Sequence, residues 1–365
     1  MMGGFDGGFG LPCEKCWGGY GLFTVTGDLR GVSGAAFLQP GAKTPVLVRF
    51  GVLAGERGMA DALRAPRLFT VRFFTADGVW DLAAGSTPAF PLRDYGGNTP
   101  AARACWRALG RQAGSGLPSR AAQWAYYAAH PETLCYLTNL LSPLGRPPSL
   151  RAADGFGYTV FALYAQGAGR RWGRFTLQSC QPGARAVGGA RDPDAFGMDL
   201  MAAIDRGDAP AWRLCLQTMT GVQAAAAEAD PFDATMPWDT AVYPPRAVGL
   251  LRLTRLPQNH FAELEAARFT DNRRARLPGI APAPPWGGWG RGEDYTAAGA
   301  FYRTLPPEAR ASLAETTAAS LRGMGEKSCT LHAARCYRAD AGYGVAVTQA
   351  LSLDLCRVRR RAGTL

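Results

Sequence analysis

The stretch VLVRFGVLAGERGMADALRAPRLFTVRFFTADGVWDL, residues 46–82, carries the densest structural signal in the chain. Val46–Phe50 and Leu68–Phe74 are rich in β-branched and aromatic residues, which is typical of strands. Ala76–Gly78 supplies a turn before Trp80. The glycines of AGERG at 54–58 lack a following Gly-Lys-Ser/Thr, so they do not form a phosphate loop. The stretch therefore predicts neighbouring strands joined by a close-fitting loop.

Segments with the composition of β-strands recur along the chain and alternate with segments predicted to be helical. Further strands are predicted at Leu22–Thr26, Tyr158–Tyr164, Arg174–Gln178, Trp212–Thr220 and Val248–Thr254. Helices are predicted within 99–142, where Ser119 and Pro131-Glu132 mark helix starts, within 192–207, and within 294–351. The pattern indicates a mainly antiparallel β core with helical insertions and a helical C-terminal section.

Composition shifts suggest five parts. They are a flexible leader at 1–11, a mainly antiparallel β core at 12–277, a Pro/Gly/Trp linker at 278–293, a helical region at 294–352 and a basic tail at 353–365. With 47% hydrophobic and 19% charged residues the chain can bury a sizeable core. The net charge of +11 favours anions in general. The run Arg357–Arg361 is interpreted as a solvated end and not as a nucleic-acid patch, because no aromatic residues interleave with it.

Targeting signals are not apparent. The start MMGGFDGGFG is not a secretory signal, and the end Gly363-Thr364-Leu365 is not the Ser-Lys-Leu peroxisomal address. No apolar run is long enough for a membrane span. The nine cysteines are scattered, as is usual for reduced thiols. We therefore expect an intracellular protein, cytoplasmic or peroxisomal.

Short blocks spread over the chain match one enzyme family. The blocks are VRF at 48–50, AGERG at 54–58, APR at 65–67, TPAFPLRD at 87–94, DGFG at 154–157, PAW at 210–212, QTMT at 217–220, PFDAT at 231–235 and NHFAELE at 259–265. With the helical end of the chain they cover most of residues 12–352, and over this range the chain resembles the haem catalases. The resemblance implies an α+β fold, a catalase-like antiparallel β-barrel with helical insertions and a helical C-terminal section.

The resemblance also implies a haem-dependent oxidoreductase that decomposes a small peroxide. The substrate would be hydrogen peroxide or an organic or lipid hydroperoxide, since catalase-like relatives act on both classes. In catalases the strand that matches Val46–Phe50 lines the distal side of a buried haem, and its arginine pairs with a haem propionate. Arg49 stands at that place, and a guanidinium suits a buried carboxylate.

The distal residues of the family are largely replaced here. Catalases use a histidine as general base, because its pKa lies near neutral. Cys13 aligns with that histidine, and a thiol with a pKa of about 8.5 is a poor proton shuttle at neutral pH. The peroxide-orienting asparagine aligns with Gly85, and the serine behind the histidine aligns with Gly51. Of two distal phenylalanines only the first remains, as Phe90.

The proximal side admits two alignments. Catalases bind iron through a tyrosinate, with an arginine four residues earlier that lowers the tyrosine pKa. Aligned from the left, GIAPAPPWGGWGRGEDY at 279–295 places Arg291 and Tyr295 on that arginine and that iron ligand. Aligned from the right, DYTAAGA at 294–300 matches a later element, in which Tyr295 only begins a packed helix and the intervening segment is missing.

Two other arrangements are weaker alternatives. The CxxC of Cys13 and Cys16 could act in redox chemistry or join Cys329, His332 and Cys336 in a zinc site. The latter three also fit one helix face, where thiols pack as small hydrophobes. The N-terminal arm of catalase tetramers has no counterpart in the residues before Cys13, which suggests a monomer or a weak dimer.

Two functional hypotheses follow from these residues. In the first, the chain is a divergent haem peroxide or hydroperoxide enzyme, with Tyr295 as ligand to the haem iron and Cys13 in an altered distal role. In the second, it is a catalytically inactive catalase-like scaffold or an incomplete gene model.

Overall fold

A computed structural model describes residues 15–52, 58–93, 100–109, 119–181, 183, 186–189, 191–269, 276–284 and 295–365. The leader expected at 1–11, Cys13 and Arg291 lie outside these ranges. In the described part no helix has both the length and the apolar character needed to cross a lipid bilayer.

Eight antiparallel strands close into a barrel. The strands are β1 Cys16–Val25, β2 Lys43–Val52, β3 Arg67–Thr75, β4 Gly78–Gly85, β5 Gly155–Leu163, β6 Arg171–Ser179, β7 Ala211–Thr220 and β8 Arg246–Arg255. They follow the order β4-β3-β2-β1-β8-β7-β6-β5, and pairing of β4 with β5 closes the ring. The expected barrel with helical insertions is confirmed.

Aromatic rings fill the inside of the barrel. One buried cluster takes side chains from all eight strands. At its centre the ring of Trp80 lies 5.2–5.6 Å from those of Phe161, Phe73 and Phe175. Such interior packing leaves the outer faces of the strands as the surfaces on which a site can be built.

Ten helices lie in the described part, and several cover one side of the barrel. They are α1 Pro100–Leu109, α2 Arg120–Ala129, α3 Leu134–Leu141, α4 Ala195–Asp205, α5 Gly221–Ala225, α6 Thr296–Thr304, α7 Pro307–Leu321, α8 Glu326–Ala339, α9 Ala341–Ala350 and α10 Leu355–Ala362. Ser119 caps α2 as expected, because its side chain accepts a hydrogen bond from the Ala122 amide. A second buried cluster joins α1–α3 and α6–α10 to Leu68, Ala83 and Phe90 of the barrel side.

Two segments differ from the expectation. The segment 278–293, expected as a linker, contains a short strand, β9 Ile280–Pro282, that pairs with the end of β5. The basic tail at 353–365 forms a helix, α10, whose Val358 and Ala362 are buried against the other helices while its arginines are exposed. Its arginines alternate with these apolar residues at helical spacing, which composition alone does not reveal.

Candidate functional site

The positions matched to distal catalase residues share one face of the barrel. Val48 and Phe50 point into the interior cluster, so Arg49 and Gly51 point outward. The register aligns Cys16, Gly51, Leu68 and Gly85 in one row across β1–β4, and Gly18, Arg49, Thr70 and Ala83 in the next. We call the outer surface formed by these two rows the small-residue face, because most of its side chains are short.

The guanidinium of Arg49 is buried and already bound to protein. Arg49 is 1% exposed. Its Nη1 donates to the main-chain oxygens of Ala267, at 2.8 Å, and Leu264, at 3.3 Å. Its Cζ lies 4.4 Å from the ring centre of Phe269, and Arg72 approaches the same ring at 4.7 Å. The charge that the resemblance assigns to a propionate is thus held by main-chain carbonyls and an aromatic ring.

A tyrosine covers the position of the missing asparagine. A Cβ placed on Gly85 would stand 2.2 Å from the hydroxyl oxygen of Tyr158 and 2.9 Å from its Cζ. No side chain at position 85 is compatible with that ring position, because real contacts of this kind are never so short. Gly85 and Tyr158 therefore form a complementary pair, in which the absence of one side chain makes room for the other.

The Tyr158 ring is held in place from several sides. Its hydroxyl lies 3.3 Å from Thr87 Oγ1, which in turn donates to the main-chain oxygen of Ala89. Its ring centre lies 4.7 Å from that of Phe90, the retained distal phenylalanine. Burial raises the pKa of Tyr158, so the phenol stays neutral at physiological pH. Sequence reasoning missed this residue, although it directly follows the DGFG block and is large.

One polar atom on the small-residue face is left without a partner. Thr70 is fully buried, and its hydroxyl makes no hydrogen bond within the described residues. It lies between Arg49 and Ala83 in the register. An unsatisfied buried hydroxyl costs about 1–3 kcal/mol, so it marks a place where a polar group is missing. The β-strand pattern alone does not single out this position.

Tyr295 lies at the head of a packed helix. It is the N-cap residue of α6, and its main-chain oxygen accepts the hydrogen bond of the Gly299 amide. The side chain is buried in the cluster that contains the C-terminal helices, and the guanidinium carbon of Arg338 on α8 lies 5.9 Å from its ring centre. Phe90 belongs to the same cluster, whereas Arg49 contacts the separate group around Leu264 and Phe269.

The cysteines do not assemble a metal site in the described part of the chain. Cys329, His332 and Cys336 share the buried side of α8, and Cys336 Sγ lies 3.5 Å from His332 Nε2. Cys16 instead packs with Leu47, Leu264 and Phe269 on the barrel. No three His, Cys, Asp or Glu side chains are grouped as metal ligands among the described residues. All eight described cysteines are free thiols.

Haem, the cofactor that the resemblance implies, does not fit the residues as they stand. A porphyrin on the small-residue face near Gly85 would overlap the ring of Tyr158, which touches that glycine. The donors of Arg49 Nη1 are used by the main-chain oxygens of Leu264 and Ala267. Tyr295 is buried at the start of α6 in the cluster formed with the C-terminal helices.

Two family models match the chain. A model described as Catalase matches residues 13–285, and a model described as Catalase-related immune-responsive matches residues 290–351. Arg291 and Tyr295 fall within the second range.

Curated relatives and solved structures agree with these models. The chain is 36% identical to catalase A of Pseudomonas putida over 275 residues, which cover 73% of this chain and 56% of that protein. It is also 36% identical to a catalase of Helicobacter pylori over 73% of this chain and 53% of that protein. The chain thus spans about half the length of these curated relatives.

The fold is similar to that of solved catalases. A bacterial catalase structure gives a TM-score of 0.81 at 22% identity, covering 94% of this chain and 86% of that chain. Catalase A from Saccharomyces cerevisiae gives 0.79 at 20% identity, covering 93% and 89%. At these identities the structures show the fold alone, whereas the sequence matches above show descent. On that combined ground, the chain belongs to the catalase family.

Proposed function

We propose that this chain is a haem-free member of the catalase family that acts as a non-catalytic scaffold. The observation that carries this proposal is the contact between Tyr158 and Gly85. The phenol fills the space beside the position where the family has its peroxide-orienting asparagine. Peroxide and porphyrin would both have to displace a ring that Phe90 and Thr87 hold in place.

The chemistry of the remaining groups supports the same proposal. Peroxide dismutation needs a base that moves a proton from one peroxide oxygen to the other, and loss of such a base costs about 10²–10⁴ in rate. Cys13 aligns with the missing histidine, and a thiol is a poor base at neutral pH. Tyr158 does not replace it, because burial raises its pKa and keeps it protonated.

Peroxide decomposition is the second candidate. Membership of the family favours this class of activity in general, with hydrogen peroxide or an organic hydroperoxide as substrate and haem as cofactor. The hydroxyl of Thr70, which has no hydrogen-bond partner among the described residues, also favours it, because it is a buried polar group on the small-residue face that a ligand could satisfy. For this activity the Tyr158 ring must leave Gly85, Arg49 must turn to a propionate, and Arg291 and Tyr295 must act on the iron.

Haemin titration of the purified full chain separates the two candidates. We expect no saturable shift of the Soret band at equimolar haemin and no oxygen release from hydrogen peroxide beyond that of free haemin. A saturable, shifted Soret band that Tyr295→Phe abolishes would overturn the scaffold proposal. Loss of the diene absorbance of a lipid hydroperoxide, dependent on bound haemin, would overturn it in favour of hydroperoxide chemistry.

A matched pair of variants tests the filling residue directly. Tyr158→Ser opens the space beside Gly85, whereas Tyr164→Ser removes an exposed tyrosine just beyond the same strand. We expect the first variant to bind haemin more tightly than the wild type and the second to behave as the wild type does. Equal haemin binding by all three proteins would show that Tyr158 is not what excludes haem.

A further inference from the structure

A basic groove runs between α8 and α10, far in sequence from the small-residue face. Lys327, Thr330 and Leu331 of α8 form one wall, and Arg357, Arg360 and Arg361 form the other. The groove encloses about 610 Å³. It exists because Val358 and Ala362 dock α10 on the helical section, which leaves the arginines of that helix exposed beside Lys327.

The positive charge of the groove is poorly compensated. Arg357 pairs with Glu326, and Arg361 donates to the hydroxyl of Thr364. Lys327 and Arg360 make no ion pair within the described residues, and both are exposed. Four cations therefore face one carboxylate, which leaves three positive charges in one groove.

The position of Lys327 adds to this excess. It stands in the first turn of α8, a helix that begins at Glu326. The first turn of a helix carries partial positive charge and free amide groups, so a cation is unfavourable there and an anion is favourable. Glu326 already places a carboxylate in this turn, and an anion in the groove would interact with Lys327 and the three arginines together.

We infer that the basic groove binds linked phosphates, such as a di- or triphosphate chain. Guanidinium groups recognise phosphate oxygens in a fork, and Arg360 and Arg361 follow Arg357 by three and four residues, so that all three line the groove. An excess of three charges matches a chain of linked phosphates better than a single phosphate. Among the described residues that line the groove none is aromatic, so they offer no stacking platform of the kind found in single-stranded nucleic-acid sites. The inference does not depend on whether haem is bound elsewhere.

Isothermal titration of the full chain with sodium tripolyphosphate tests the inference. We expect saturable binding that weakens with added salt, and binding of inorganic phosphate that is weaker by about tenfold or more. The double variant Lys327→Gln/Arg360→Gln should bind tripolyphosphate about tenfold or more weakly, because it loses two charge-assisted contacts. Both residues are exposed, so the thermal midpoint should not change.

The matched control removes two exposed arginines of β8 in Arg246→Gln/Arg252→Gln. It should bind as the wild type does. If a nucleoside triphosphate binds no better than tripolyphosphate, the phosphate chain is the group that the site recognises. If it binds much better, the site recognises a nucleotide that carries the same phosphate chain. Absence of saturable binding, equal losses in both double variants, or tighter binding of an RNA oligomer that depends on Lys327 and Arg360 would overturn the inference.

Discussion

Gly85 and Tyr158 decide what the outer face of the barrel can hold. The glycine removes the side chain that catalases place here, and the phenol occupies the freed volume, with its oxygen 2.2 Å from where a Cβ would be. Neither residue, considered alone in the sequence, indicates this contact. Their contact makes this part of the small-residue face a packed surface, because the Tyr158 ring lies directly against Gly85.

The variant Gly85→Asn tests this complementarity. The new side chain must displace the Tyr158 ring, which Phe90 and Thr87 hold, so we expect the free energy of unfolding to fall by about 1–3 kcal/mol in urea denaturation. Adding Tyr158→Ser should restore part of this loss, because the clash is then removed.

Gly169→Asn is the control for that change. Position 169 has open space around its Cβ direction, so the free energy of unfolding should stay within about 0.5 kcal/mol of the wild type. Equal destabilisation by the two asparagines, or failure of Tyr158→Ser to relieve Gly85→Asn, would contradict the pairing.

His332 makes stability depend on pH. Burial, together with the charge of Arg335, lowers its pKa from 6.5 to about 3. Between these values the unfolded chain takes up a proton that the folded chain does not, so stability rises with pH across this window and is level above it. The slope from this group is at most about 1.4 kcal/mol per pH unit.

The variant His332→Gln should lack that contribution. It loses the imidazole beside Trp124 and Cys336, so its overall stability also falls. The informative quantity is the difference between the free energies of unfolding near pH 7 and about pH 5, which should be smaller in the variant than in the wild type. Identical differences in the two proteins would show that His332 takes up its proton equally in both states.

At the scale of elements, α10 shows how a run of basic residues forms a helix that packs on the rest of the chain. Asp354 caps the helix by accepting from the Cys356 amide, and three arginines stand in its last turn, where the helix dipole favours cations. Val358 and Ala362 then point to one side and are buried. The C-terminal basic segment is thus an amphipathic helix, and its packing against α8 forms the basic groove.

Truncation of the buried valine tests the docking. Val358 is 0% exposed, so Val358→Ala should lower the free energy of unfolding by about 1–3 kcal/mol. Amide exchange in α10 should accelerate more than exchange in the barrel strands, because the contact is local. Val222→Ala, at a valine that is 80% exposed, should change neither quantity. Similar effects at both positions would mean that α10 is not held by this contact.

Other elements followed from local sequence and were confirmed. The start of α2 at Ser119 depends on a side-chain cap, and the turn at Gly78 depends on a glycine conformation; both act within a few residues. The helix after Asp194 is also present, although the Asp194 side chain makes no capping hydrogen bond. The strand β9 was missed, since a three-residue strand inside a proline-rich segment exists only by pairing with the end of β5.

At the scale of the molecule, two buried clusters meet at the wall of the barrel. The interior cluster takes the inward side chains of β1–β8, and the second cluster takes outward side chains such as Leu68 and Ala83 together with the helices. The small-residue face lies on that wall. The strand register places Gly51 and Gly85 in one row, on either side of Leu68, although they are 34 residues apart in the sequence.

The amino-acid sequence was enough to establish the family and the barrel with its helical insertions, because these depend on motif identity and on periods of two and 3.6 residues. Three features required the tertiary structure: the phenol of Tyr158 over Gly85, the protein contacts of Arg49, and the groove between α8 and α10. Each depends on which side chain fills which space between elements distant in the chain. The periodicity of a segment does not indicate which distant side chain will occupy the space beside it, because close packing in the folded chain decides that.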